Sequence, residues 1–203
     1  MMKTRIALVT GGAVLAGVLC GPAALAQAPS IPKGFLLYEK QARKDSKHWY
    51  VSENSPNEEV WNIQCSAVRL KGWSARRDVV YDTEIGGGEE TNRVRGEQVF
   101  VFRDAQGAGK LMARLGKLLD ACGKTVKVRK PKIGDQALGA SRTIKATKTS
   151  PIPQTQKFVA VRKGAAVALY WDMHNKAKSL RSMAQHEADA KKMAAKLCAV
   201  GGC

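Results

Sequence analysis

The sequence predicts an α+β fold: an antiparallel β-sheet flanked by helices in a single disulfide-bonded domain. Three observations carry this. Gln98–Phe102 (Gln-Val-Phe-Val-Phe) is a run of mostly β-branched and aromatic residues without Gly or Pro, which suits a strand covered on both faces. Directly after it, Ala108, Leu111, Met112, Leu115, Leu118, Leu119 and Cys122 recur at spacings of three and four, the stripe of an amphipathic helix. Elsewhere, strand-like runs separated by turn residues pair as hairpins, and hairpin strands with two long helices make an antiparallel sandwich.

The chain opens on a leader. Lys3 and Arg5 precede an apolar run from Ile6 to Leu19, and Ala24-Leu25-Ala26 has the small-x-small pattern of a secretory cleavage site. Residues 1–26 are therefore read as a signal peptide cleaved after Ala26, which places the protein outside the cytoplasm. Gly11, Gly12, Gly17, Gly21 and Pro22 weaken a transmembrane reading, and the bulky Leu19 before Cys20 weakens a lipoprotein one. No second apolar run is long enough to span a bilayer, so no transmembrane segment is expected in the mature chain. Residues 27–34 are short and proline-bearing and read as a flexible N-terminus, with the domain proper at 35–203.

Within the domain, Phe35–Arg43 reads as a small amphipathic helix, Trp49-Tyr50-Val51 as a brief strand and Ser55-Pro56-Asn57 as a turn. Trp61–Cys65 would anchor its segment, the indole entering the core and the thiol a bridge. Arg77–Ile85 and Arg93–Phe102 read as a hairpin turning at Gly86-Gly87-Gly88. Asp104 can cap the following helix with its carboxylate, and Gly123 can take the left-handed conformation that ends it. Thr125–Val128 is a short strand, Ile133–Ala137 a loop with one distinctive acid, and Ser141–Thr147 another strand, with bends forced at Pro151 and Pro153. Phe158–Arg162 and Ala165–Trp171 form a hairpin around Lys163-Gly164. From Lys176 to Ala199, Leu180, Met183, Ala184, Ala190, Met193, Ala194 and Leu197 mark a last helix, with Lys191, Lys192 and Lys196 off its apolar stripe.

Charge and cysteines narrow the function. The chain carries +17, and loss of Lys3 and Arg5 with the leader would leave about +15. Basic residues are spread along the whole length, which attracts polyanions: wall polymers, anionic lipid or extracellular nucleic acid. The densest cluster is Lys124, Lys127, Arg129, Lys130 and Lys132, a candidate polyanion contact without base-reading features, so no specific nucleic-acid partner is expected. Removal of Cys20 leaves Cys65, Cys122, Cys198 and Cys203, an even set that argues for two disulfides with three possible connectivities. A zinc site fails on spacing, since no C-x-x-C pair exists.

Catalytic patterns are poorly supported. Gly107-Ala108-Gly109-Lys110 has part of a phosphate loop, but Asp104 and Leu111 stand where glycine and Ser or Thr belong. These glycines read instead as helix positions approached closely by another backbone. His48, His174 and His186 lack paired metal spacing and read as surface residues. Asp78, Asp82 and Glu84 read as one solvated strand face. There is no Gly-x-Ser-x-Gly and no spare thiol for a Cys–His pair. The expectation is a protein that is not an enzyme and uses no cofactor.

The order of Trp61-x-x-x-Cys65, the strand Val99–Phe102, the helix ending in Cys122, the Ile133-Gly134-Asp135 loop and Val161-Arg162-x-Gly164 resembles the PknH-type extracellular sensor domain. That family occurs in actinobacterial membrane serine/threonine kinases and in exported proteins without a kinase. The resemblance covers about Phe35 to Ala199. It implies a sheet flanked by helices and a cleft for an unidentified small ligand, and supplies no catalytic residues. It also implies a Cys65–Cys122 bridge, which leaves Cys198 with Cys203, and Gly201-Gly202 can fold the chain back to close that small loop. The family's cysteine pair in its last strands is missing here, which separates this chain from any inherited ligand specificity. Two readings follow: an exported sensor-like domain holding a small ligand or envelope component in a cleft, or a basic extracellular interaction protein that binds polyanions (wall polymers, anionic lipid, nucleic acid) through its surface.

Overall fold

The computed structural model describes residues 30–46, 48–54, 60–63, 66–68, 72–83, 93–146, 148, 153–174 and 180–203. The leader, Ser55-Pro56-Asn57, Cys65, Gly86-Gly87-Gly88, Glu84, Pro151 and residues 176–179 lie outside them, as does the Trp61 side chain.

The elements are α1 (Tyr38–Asp45), β1 (Trp49–Glu53), β2 (Val60–Ile63), β3 (Ser66–Val68), β4 (Trp73–Thr83), β5 (Arg93–Phe102), α2 (Ala105–Ala121), β6 (Val126–Arg129), β7 (Gln136–Ile144), β8 (Gln154–Lys163), β9 (Ala166–His174) and α3 (Met183–Gly201). Seven strands form one antiparallel sheet in the order β1-β4-β5-β9-β8-β7-β6, and β2 pairs with β3 separately. The α+β class expected from the sequence is the observed one.

β5 lies inside the sheet and is covered on both faces, as its composition predicts. Val99 and Val101 face α1 and α3 in one core with Phe35, Tyr170, Met193 and Leu197. Phe100 and Phe102 face α2 in the other, with Leu111, Leu115, Leu119, Phe158 and Leu169. Asp104 caps α2, its Oδ1 accepting the Gly107 N–H at 2.7 Å, and Gly123 ends the helical segment with φ +61°. The four antiparallel steps from β5 to β6 make these two strands parallel, so α2 is a crossover carrying the chain over three strands to the sheet edge.

Several expectations are corrected. β4 starts at Trp73, four residues before the expected Arg77, because Trp73 and Ala75 pair with Phe102 and Val101 across an irregularity that conceals the alternation. β7 starts at Gln136, within the expected loop, because Gln136–Ala140 pair in register with Phe158–Arg162. α3 starts at Met183, not near Lys176: Ser182 closes a capping box with Gln185 and so fixes the start, while Leu180 is buried outside the helix. Ile31, assigned to the flexible N-terminus, is buried in the α1–α3 core. Gly109 has nothing near its missing side chain, and Gly107 is approached by the Phe102 side chain, not by backbone.

The charged groups correct it further. Asp78 is not solvated; it is buried, its Oδ1 2.8 Å from Arg76 Nε and its Oδ2 accepting the Ser52 hydroxyl at 2.7 Å. His48 is exposed, but His174 and His186 are buried, and His186 Nε2 is 3.0 Å from Asp172 Oδ1. An acidic partner across the chain makes such burial tolerable, and sequence spacing does not show it.

Cys198 is bonded to Cys203 across a Cα–Cα distance of 5.2 Å. Cys122 is also disulfide-bonded, and its partner lies outside the described residues. Leu115 is fully buried at the centre of the α2 face, whereas Arg114 is exposed. Leu115→Ala is expected to cost roughly 2–5 kcal/mol in urea melts, and Arg114→Ala within about 0.5 kcal/mol. Equal losses would contradict this assignment of the helix face.

Candidate functional site

The candidate site follows from how the chain leaves α2. After Ala121 it passes through a short 3₁₀ turn, Gly123–Thr125, held by the Thr125 hydroxyl donating to the Cys122 carbonyl at 2.8 Å. It then enters β6, the edge strand beside β7. Val126 is buried under α2, but Val128, two residues on and on the same face, is 39% exposed. Helix and edge strand therefore leave a groove between them.

The groove has a volume of about 610 Å³, within the range of small-molecule sites. α2 contributes Met112, Ala113 and Gly116 to it, and β6 and β7 contribute Val128, Ala137 and Leu138. The segment Lys130–Gln136 forms the remaining wall, with Asp120 at the helix side. Gly116 keeps the helix side shallow: a methyl group there would make only ordinary contact, at 3.9 Å, with Leu138.

One acid fixes that wall. Asp135 Oδ1 accepts from Lys163 Nζ at 3.0 Å and Oδ2 accepts the Gly164 N–H at 2.9 Å, while Arg162 stands at 3.3 Å. The Lys163 hydrogen bond first, then the Gly164 N–H, hold its carboxyl below the usual range. The Asp135 N–H returns a bond to the Arg162 carbonyl at 2.9 Å, and Gly134, at φ +60°, passes so close that a Cβ would sit 2.4 Å from that carbonyl oxygen. The loop singled out by its acid is thus a clasp between the groove wall and the β8–β9 turn. That turn is fastened in its turn to the end of α3, where the Ala165 N–H donates to the Gly201 carbonyl at 3.1 Å.

The predicted basic cluster is divided by this geometry. Lys130 and Lys132 are exposed and line the groove. Lys127 and Arg129 alternate with the two valines of β6 and so lie on the other face, where Arg129 is 3.4 Å from Glu187 of α3. Lys124 sits in the turn. Of the cysteines, Cys122 closes the helix beside the groove, and Cys198 and Cys203 lie at the far end of α3.

Sequence reasoning missed a buried polar network on the opposite face. Glu97 Oε2 accepts the Tyr38 N–H at the start of α1, and Oε1 accepts the Tyr170 hydroxyl, both at 2.7 Å. The Tyr38 hydroxyl donates to Asp189 of α3 at 2.8 Å, and Asp189 pairs with Arg181 at 2.7 Å. Asp172 holds His186 and accepts the Arg181 N–H at 3.0 Å, while Arg95 donates to the Tyr81 hydroxyl at 3.1 Å. The available signal was register: Arg95 and Glu97 share the inward face of Val99 and Val101. Burial pushes Glu97 up to about 7 against the Tyr170 hydroxyl and the Tyr38 and Leu37 N–H groups, which favour its carboxylate, and burial also raises Tyr38 and Tyr170. The network ties α1 and α3 to the sheet.

Among the described residues, no group of three or more His, Cys, Asp or Glu side chains could hold a metal ion, and no helix is long and apolar enough to cross a membrane. In comparisons with known proteins the chain matches no family model, no curated protein and no solved structure.

Gly116 lies inside a helix with room for a methyl group, so Gly116→Ala is expected to stabilise the fold by roughly 0.5–1 kcal/mol in urea melts. Destabilisation would show that the groove floor is tighter than described. Glu97 is raised above its unfolded value of 4.5, so the folded state holds its proton more tightly. Its contribution is fully present below pH 4.5 and is lost as pH rises to about 7, a change of roughly 3 kcal/mol. Glu97→Gln should flatten that slope in melts taken across the window; an unchanged slope would assign the dependence to other groups.

Proposed function

We propose that this chain is an exported, non-catalytic, sensor-like domain that binds a small ligand or cell-envelope component in the groove between α2 and β6–β7. The observation that carries this reading is a groove of about 610 Å³ with an apolar floor and a clasped polar wall, a combination typical of ligand sites. The leader pattern ending at Ala26 supports export, and the motif order shared with PknH-type sensor domains supports a ligand-receiving role.

A second reading, polyanion binding over the whole surface, is favoured by the charge of +17. The division of the densest cluster between two faces weakens it as a continuous contact surface. It remains as a long-range attraction that adds to the binding of any anionic ligand.

Salt separates the two. Amide chemical shifts should be followed with a library of small amphipathic fragments at about 0.5 M salt, where the Debye length is only a few ångströms. Perturbations centred on Met112, Val128 and Leu138 are expected to persist there, while heparin affinity falls steeply and smoothly with salt. Silent groove amides with salt-sensitive heparin binding would replace the first reading with the second.

A further inference from the structure

Resting on the groove as the binding site, we propose that its ligand is a single-chain amphiphilic anion: one alkyl chain ended by a carboxylate or phosphate head. The lining carries the argument by what it offers. Met112, Ala113, Gly116, Val128 and Leu138 supply aliphatic surface, and among the described residues no aromatic ring lines the groove. Ligands read by stacking, such as nucleobases, therefore find no platform, whereas a flexible chain needs only apolar contact and an adaptable methionine beside it. Val128 leaves 39% of its surface exposed on this floor, and covering it is favourable.

The head is assigned by charge. Lys130 and Lys132 line the groove, and neither is ion-paired among the described residues. Two lining acids oppose an anion. Asp135 is already met by Lys163, Gly164 and Arg162. Asp120 lies next to the chain reversal at residues 122–125, roughly 13 Å of strand before Lys130. An anionic head beside the lysines thus lies away from Asp120, the lining acid without an ion pair among the described residues, and its chain runs across Val128 and Gly116. A volume of about 610 Å³ is that of a small-molecule site, which suits one chain and not a bilayer.

The test is calorimetric titration with octanoate, decanoate and dodecanoate below their micelle concentrations, in about 0.15 M salt. Each added methylene is expected to tighten binding about fourfold until the groove is full. Dodecyl phosphate in place of dodecanoate identifies the preferred head. Dodecyltrimethylammonium, with the same chain and the opposite charge, should bind far more weakly. Lys130→Gln with Lys132→Gln should lower dodecanoate affinity about three- to tenfold. Gly116→Leu should abolish the chain-length dependence, and Ala113→Leu, at an exposed position, gives the same readout if Gly116→Leu fails to fold. Equal binding along the series, or equal binding of the cationic detergent, overturns the inference; if fragments still perturb the groove amides, the groove reading survives it. Binding to phosphatidylglycerol vesicles that neither plug variant weakens, with no dodecanoate binding, overturns the inference in favour of charge-driven membrane adsorption.

Discussion

Among the described residues three α-helices cover the two faces of a seven-stranded sheet, and the rest of the structure depends on how they divide them. Seven strands at about 4.8 Å spacing make a sheet roughly 29 Å wide, whereas one helix with its side chains is about 10–12 Å across. α1 and α3 share one face, and α2 lies on the other. Among the described residues, the large apolar side chains left exposed are Trp49 and Tyr50 on edge strand β1 and Val128 on edge strand β6. Helix coverage runs out at the edges, and the groove is the uncovered strip beside β6.

The two faces are held by different physics. On the α2 face the helix meets the sheet through apolar packing around Leu115, Phe100 and Phe158, with one cap at Asp104 and the buried Arg76–Asp78 pair within the sheet beside Phe100. The α1–α3 face combines packing with Glu97, Asp189 and Asp172, each of which accepts hydrogen bonds from a neighbouring element. Buried polar groups are tolerable when such partners are present and fix orientation more narrowly than apolar contact does. Lys196 of α3 adds to this by donating to the Phe35 carbonyl and lying 4.6 Å from the centre of its ring. The polar face anchors the short helix α1, which is too brief to be stable alone.

The groove inherits its shape from connections rather than from its own residues. Its wall is set by Asp135 holding the β8–β9 turn, and that turn is held by the end of α3, which the Cys198–Cys203 bridge closes. The C-terminus is thus linked to the groove wall by one disulfide and two hydrogen-bonded steps. The basic charge acts differently: it is spread over the surface, screened by salt, and brings anions near without choosing among them.

What the sequence by itself determined was the fold class, the doubly covered strand β5, the capped helix after it and the hairpin around Lys163-Gly164. These are local signals: composition, periodicity, one cap and one turn, each read within a few residues. Tertiary structure alone decided that Glu97, His186 and Asp78 are buried: Glu97 and His186 meet Tyr170 and Asp172, at least fourteen residues away, and Asp78, besides its near neighbour Arg76, accepts from Ser52 of β1. It also decided the start of β7, since Gln136 and Ala137 look like the end of a loop until β8 pairs with them. The groove was the least legible feature: Val128 and Gly116 carry no distinguishing pattern, and only the crossover of α2 to the sheet edge sets them side by side. Spacing along a chain shows which groups can share a face; which faces meet is decided by long-range pairing.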